Sequence, residues 1–362
     1  MSPVGELVRP STATEVQEIV RERRSVLPRG GGTKTALSTP ASEVTVLDLS
    51  RLSGVLEYDP AEFTFTALAG TPVRAVEEML EAHGQFLPFD PPFSASGATL
   101  GGTVASGLSG PRRYRYGGVR DFVLGVRFVD GTGALVRGGG RVVKNAAGFD
   151  FPKLMVGSLG QLGVLVELTF KVFPARRAHA TLRVAYAGFE EAVESLVRLG
   201  ASHFDLEALE LHPPGILWVR VGGLAESLEA RIARLVAFLG ARAEILRGEE
   251  ERAVWEGARE FAWVPPGTCL VKVPVTPRRL AGLEARLARS GALRRYSVGG
   301  TCAWVAWPGE LGLLHRMLVE LGLAGLCVLG PPGRGKLGEW EGEAFARRVR
   351  RALDPHGKFG TG

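Results

Sequence analysis

The sequence predicts an α+β protein in two parts with a short tail: residues 1–176, residues 177–329 and residues 330–362. Three observations carry this. In residues 94–173 glycine clusters with small and hydroxyl residues between apolar runs of strand length, not in a polar linker. After Phe173 and Pro174 those clusters give way to alternating strand and helix patterns. The order strand, helix, strand, strand, helix is then written twice, the second time closed by a further strand, which describes two ferredoxin-like halves able to share one antiparallel sheet. A chain of 362 residues is also longer than one average core usually grows.

Taken in order, residues 10–24 begin with hydroxyl residues and place Val16, Ile19 and Val20 on one face, which predicts a short amphipathic helix. Residues 25–29 form a strand that ends in a glycine turn, and residues 44–49 form the next strand. A dinucleotide fold of the Rossmann type needs a helix N-terminus after its glycines, so that fold is excluded here. The turn itself reads in two ways. Its successive N–H groups can form an anion-binding nest beside Arg29 and Lys34, or it is a flexible hairpin connection.

Residues 53–69 alternate as two strands, and residues 71–83 form a helix with Pro72 in its first turn and Gly84 at its end. Residues 87–92 are a stiff connector into the glycine-rich stretch. Residues 122–129 and 134–137 read as strands joined by Asp130-Gly131-Thr132-Gly133. Residues 151–156 read as a short helix and residues 163–172 as a buried strand.

The first later pass has strands at 181–186, 206–211 and 216–221 and helices at 189–199 and 224–239. The second has strands at 269–275, 293–298, 301–307 and 326–329 and helices at 277–289 and 310–321. A last helix covers residues 341–353.

Composition narrows the function. The 44 basic and 38 acidic residues leave a net charge of +6 with no basic tract, which argues against nucleic acid as a partner. Cys269, Cys302 and Cys327 are odd in number and form no CxxC pair, which points to a reducing compartment and away from an iron–sulfur cluster on this chain. The first residues lack the apolar core of a signal peptide. The most apolar long stretch, residues 311–330, carries His315, Arg316 and Glu320 and so fails as a membrane span. The expected location is cytoplasmic, with membrane association only through partners.

Several motifs in fixed order resemble one family. They are LPRGGGTK (27–34), VLDLSRLSGVLEYDP (46–60), TALAGTPV (66–73), LPFDPP (87–92), ATLGGTVASGLSGPRR (98–113), VRDFVLGV (119–126), VVKNAAGFD (142–150) and GSLGQLGVLVELTFKV (157–172). Residues 7–174 resemble the FAD-binding domain of the vanillyl-alcohol oxidase (PCMH-type) flavoproteins. Within that group they resemble the FAD-binding subunits of bacterial glycolate oxidase.

The resemblance implies a bound FAD whose pyrophosphate is held by Pro28, Arg29, Gly30, Gly31, Gly32, Thr33 and Lys34. It implies that Pro92, Ala98, Thr99, Gly101, Gly102, Thr103, Ala105, Ser106 and Gly107 line the phosphate and flavin from the other side, and that Gly160, Gly163 and Val164 serve the adenine end. Buried phosphate oxygens need donors, and stacked N–H groups supply them without loss of side-chain entropy. Some relatives carry a flavin-linking histidine where this chain has Thr33, so the implied FAD is non-covalent.

The departures from the family shape the expected function. Relatives that oxidise 2-hydroxy acids carry an HxGDGNxH-like metal and base cluster, and this chain has none, so no metal site is expected. His179, His203, His212 and His315 are scattered and read as structural or surface residues. The closing residues lack the family's Asn-Pro pair.

The expectation is therefore an FAD-dependent oxidoreductase subunit of a heteromeric glycolate (2-hydroxy acid) oxidase or dehydrogenase. Its partners would be a second flavin subunit bearing the histidine cluster and an iron–sulfur subunit. The alternatives are a self-sufficient flavin oxidoreductase of a hydroxy acid or sugar alcohol, and a structural or assembly subunit with a decayed flavin site. Arg112 and Arg113, beside Arg115 and Tyr116, are the candidates for holding a substrate carboxylate or docking a partner. Lys144 and Asn145 are a second polar pair, equally readable as turn residues. Residues 330–336 fit GxxxxGK, but Leu337 replaces the hydroxyl that a nucleotide-bound magnesium needs, so this stretch reads as an interdomain linker.

Overall fold

The computed structural model describes residues 6–40, 43–140, 148–333 and 335–359. The helix Ala13–Glu22 starts at Thr12, whose hydroxyl accepts the Glu15 N–H, and buries Val16 and Val20. It lies near a three-stranded sheet in which Leu7–Val8 and Val26–Arg29 flank Thr45–Asp48, all parallel. Parallel neighbours cannot be joined by a tight hairpin. The chain between Val26–Arg29 and Thr45–Asp48 accordingly makes one helical turn, Thr35–Ser38, which the sequence pattern does not predict and which excludes the hairpin reading.

The second sheet is antiparallel, in the order Val55–Asp59, Thr64–Leu68, Val164–Lys171, Val123–Val129, Leu135–Gly139. Phe65 and Phe170 stack at 5.3 Å in its core, and Phe89 stacks on Phe170 at 5.7 Å. The helix Leu100–Ser106 packs against it. Its two glycines disfavour a helix by propensity, yet they are what lets it sit so low. A Cβ on Gly101 would come within 2.9 Å of both the Cβ and the carbonyl oxygen of Ala69. Thr99 caps its start and Gly107, at φ +64°, ends it.

Residues beyond Arg176 build a nine-stranded antiparallel sheet. Its order is Ala243–Arg247, Ala178–Ala185, Ile216–Gly223, Leu206–His212, Leu293–Ser297, Cys302–Trp307, Cys269–Pro274, Ala324–Leu329, Lys336–Gly338. The two ferredoxin-like halves meet where Leu211 lies opposite Tyr296. The helices Phe189–Gly200, Ala225–Leu239, Leu280–Leu287 and Leu311–Glu320 cover one face with a continuous apolar core. From the other face Leu270, Trp304, Leu326 and Val328 enter the same core as Phe89 and Phe93 of the first part.

Three elements here are absent from the sequence pattern: the strands Ala243–Arg247 and Lys336–Gly338, and the helix Gly248–Arg259. Lys336–Gly338 pairs antiparallel with Ala324–Leu329, so the glycine-rich loop before it closes a hairpin within the sheet and is not a linker between parts. A strand, not a helix, directly follows it, so no helix N-terminus is presented to a nucleotide there. The chain then returns to the first part. Val26 donates to the Lys358 carbonyl at 2.9 Å, and Phe359 is buried beside Val16 and Leu47.

The helix Gly248–Arg259 is pinned by one buried ion pair. Arg220 donates two hydrogen bonds to Glu251, at 2.7 and 3.1 Å, and the Thr181 hydroxyl donates a third at 3.1 Å. Removing one partner of such a pair strands the other charge out of water. We expect Glu251→Ala to lower unfolding stability by about 3–5 kcal/mol in urea titration, and a loss below about 1 kcal/mol would show the pair to be solvated.

Candidate functional site

The three-stranded sheet, the helix Leu100–Ser106 and the start of the strand Val164–Lys171 leave between them a pocket of about 700 Å³. One wall is the unbroken run Pro28, Arg29, Gly30, Gly31, Gly32, Thr33 and Lys34. Thr99, Gly101, Gly102, Ala105 and Ser106 form the facing wall, and Gly160 and Gly163 close the far end.

Backbone packs on backbone at the rim. A Cβ on Gly31 would lie 1.8 Å from the Gly97 carbonyl oxygen, and one on Gly30 would lie 2.1 Å from the Thr99 hydroxyl. Only glycine allows the two segments to close together. Gly32 turns the chain at φ +67°.

The amides of Gly30, Gly31, Gly32 and Thr33 find no hydrogen-bond acceptor among the described residues. Four donors in sequence without protein acceptors suit a ligand rich in anionic oxygen, because successive N–H groups can converge on it. Arg29 is held by Asp48 at 3.3 Å, an acceptor shared with Arg9. Lys34 is 6% exposed; its ammonium reaches the Thr33 hydroxyl at 3.1 Å and lies 5.4 Å from the Phe93 ring centre. Burial pushes this ammonium down to about 8, against the pull of the Glu260 carboxylate. A phosphate oxygen would supply the partner that the site lacks.

Of the sequence-predicted residues, Pro92, Ala98, Thr103, Gly107 and Val164 do not line this pocket. Ala98 is buried and its carbonyl accepts the Val73 N–H. Thr103 is buried with its hydroxyl unpartnered among the described residues. Gly107 ends the helix, and Val164 is fully buried at a strand start. Pro92 lines a separate cavity of about 290 Å³ with Glu210, Arg295 and Trp263. Leu37, Ser38, Leu49, Ala69, Leu159 and Leu165 line the pocket without having been expected. They are mostly apolar residues on short helical turns, loops and one strand, which sequence pattern cannot separate from core.

Arg112 and Arg113 lie away from the pocket and from each other's surroundings. The Arg112 guanidinium sits 4.8 Å from the Phe86 ring centre and 3.9 Å from Glu207, while Arg113 is exposed. Glu207 is 1% exposed and gathers Tyr116 at 3.1 Å, His179 at 3.1 Å and Arg176 at 3.5 Å. Burial alone would push its carboxyl up, but the His179 hydrogen bond and charge with the Arg112 and Arg220 guanidiniums outweigh it and hold the group down at about 2. His212 meets Glu210 at 3.1 Å, and His315 accepts the Gly338 N–H. Among the described residues no group of three or more His, Cys, Asp or Glu could hold a metal, and no helix is long and apolar enough to cross a membrane. Lys144 and Asn145 lie outside the described residues.

Comparison with known proteins bears on this geometry. A family profile described as an FAD binding domain matches residues 5–139. The glycolate oxidase subunit GlcE of Escherichia coli (strain K12) is 33% identical over 355 residues, covering 96% of this chain and 95% of that protein. The glycolate oxidase subunit GlcD of Bacillus subtilis (strain 168) is 30% identical over 58% of this chain, which spans 46% of that longer protein. Among solved structures, an alkyldihydroxyacetonephosphate synthase superposes with a TM-score of 0.73 at 17% identity, covering 98% of this chain and 75% of the other. That likeness shows the fold.

Because a Cβ at Gly31 must displace the Gly97 carbonyl, we expect Gly31→Ala to cost about 1–3 kcal/mol in urea unfolding. Gly102→Ala, whose Cβ would stand 3.2 Å from the Thr99 hydroxyl, should cost much less. Equal losses for the two would contradict the backbone-on-backbone reading of the rim.

Proposed function

Because this chain belongs to the family of the glycolate oxidase FAD-binding subunit, whose members are FAD-dependent oxidoreductases, we propose that it is the FAD-carrying partner subunit of a heteromeric glycolate or 2-hydroxy acid oxidase. The observation that carries this reading is the run of four acceptor-free amides facing a glycine-walled pocket beside a buried, unneutralised lysine. FAD would supply the oxidising centre that takes the electron pair from the substrate carbon. The chain's own residues would bind and orient it.

In this proposal the Gly30, Gly31, Gly32 and Thr33 amides donate to the pyrophosphate, and Lys34 adds a charge-assisted hydrogen bond. Thr99, Gly101, Gly102, Ala105 and Ser106 close over it from the opposite wall. Gly160 and Gly163 lie where the adenine end would sit. With Thr33 at the position of a flavin-linking histidine, the cofactor is held without a covalent bond. The first part, to about Arg176, is the cofactor domain, and the nine-stranded sheet roofs it.

Substrate oxidation we assign chiefly to a second flavin subunit with a histidine cluster, and electron transfer onward to an iron–sulfur subunit. The dispersed histidines of this chain and its three cysteines, of which Cys269 and Cys327 touch, too few to ligate a cluster, support that division. The purified chain should be yellow, should release its flavin into the supernatant on acid precipitation, and should be bleached only slowly by anaerobic glycolate. Rapid bleaching by glycolate would make the chain self-sufficient, and protein unable to take up FAD would make it a structural subunit; either result overturns the proposal.

Lys34 gives the binding a pH signature. A depressed ammonium is charged below about 8, and a bound phosphate raises it again, so FAD affinity is full below pH 8 and falls as pH rises through that value. Lys34→Met should weaken FAD by roughly 10- to 100-fold at pH 7, the range for a hydrogen bond to a charged group, and should flatten the pH profile between 7 and 9.5. An unchanged profile in the variant would remove Lys34 from the site.

A further inference from the structure

A cleft open to solvent, about 1780 Å³ including the solvent at its mouth, lies between the helix Val73–Glu81 of the first part and the helix Gly248–Arg259 of the second, and it shares no residue with the glycine-walled pocket. Three of its five glutamates are engaged, while Glu81 and Glu256 are exposed and form no ion pair among the described residues. Glu77 accepts from Arg259 at 2.6 Å and from the Ser94 hydroxyl at 2.5 Å, and Glu78 pairs with Arg74 at 3.0 Å. Glu260 receives the amides of Ala95 and Ser96 and the Ser96 hydroxyl, at 2.9, 3.2 and 2.8 Å.

Seven arginines line the cavity against those five glutamates. Beside the cavity, Glu207 accepts from the Tyr116 hydroxyl and lies near His179 and Arg176, but its buried Oε2 has no hydrogen-bond partner among the described residues, and Arg112 Nε stands 3.9 Å from it, beyond hydrogen-bonding distance. The Arg112 Nε is buried with no hydrogen-bond partner among the described residues, although its guanidinium is positioned by the Phe86 ring. At the rim Arg177 and Arg252 are exposed and form no ion pair among the described residues. A guanidinium that is fixed in place and short of an acceptor is suited to a planar, bidentate anionic group.

We infer that this interdomain cavity binds a small organic dianion, with one carboxylate or phosphate group on Arg112 and the other reached by Arg177 and Arg252. The inference goes beyond the flavin reading and does not rest on it. Dicarboxylates and phosphate compounds share the chemistry, and separate probes distinguish them.

Calorimetric titration of the full FAD-loaded chain at low salt with succinate, with inorganic phosphate and with acetate tests the site. The expected result is saturable one-to-one binding of succinate or phosphate, with the stronger of the two naming the ligand class, and at least about tenfold weaker acetate. Arg112→Gln should weaken binding by about tenfold or more. The double variant Arg177→Gln/Arg252→Gln, whose side chains are exposed and whose fold should be undisturbed, should weaken it by about three- to tenfold while flavin content stays the same. Absence of saturable binding by both dianions, or affinity unchanged in both variants, would overturn the inference. Loss of flavin with dianion binding intact would instead count against the cofactor reading alone.

Discussion

The contact on which the site depends is the approach of two stretches of bare backbone, Gly30 and Gly31 against Gly97 and Thr99. Side chains there would hold the segments apart and fill the space that is now the pocket. Because they close, the turn after the strand Val26–Arg29 is pressed toward the helix Leu100–Ser106, and its N–H groups have no neighbour to donate to. The same economy recurs at Gly101 on Ala69, which brings that helix down onto the second sheet. Fold and ligand chemistry meet at this point: the loop's amides have no protein acceptor and are free to converge on an anion.

The second part stabilises this arrangement by covering it. One face of the nine-stranded sheet is closed by its own helices, and the other sends Leu270, Trp304 and Leu326 into the core of the first part. Electrostatics sharpen the junction. Glu207 and Asp205, on or beside one strand, collect cations from both parts, among them Arg112, Arg115 and Arg176. Only Glu207 among them is buried, and the exposed pairs around it add little stability. The Thr35 hydroxyl, bonded to Gly330 at 3.1 Å, ties the pocket's one-turn helix to the far end of the sheet.

Legibility in the sequence followed the physics of each segment. The doubled strand and helix order was readable because its helices present apolar faces at regular spacing, as Val16 and Val20 do in the first helix. The helix Leu100–Ser106 was not, since its glycines argue against helix locally and are chosen for the close approach to Ala69. The helix Gly248–Arg259 was hidden by its charged sequence; its anchor, Glu251 on Arg220, is a tertiary pairing that no local pattern announces. In the pocket, the glycine run was visible because glycine has few other reasons to cluster between strands, whereas Leu49 and Leu165 look like any core residue. Arg112 stands out in the sequence with Arg113 and Arg115 just after the glycine-rich segment, and its separation from Arg113 is visible only in the folded turn.

The central claim, that the amides of residues 30–33 hold the anionic part of the cofactor, is tested most directly by amide hydrogen exchange of the chain with and without FAD. Without FAD those four amides, lacking acceptors, should exchange rapidly, and on saturation they should slow by about 100-fold or more as local opening becomes tied to cofactor release. Exchange at residues 30–33 that stays fast while other segments become protected would contradict the account.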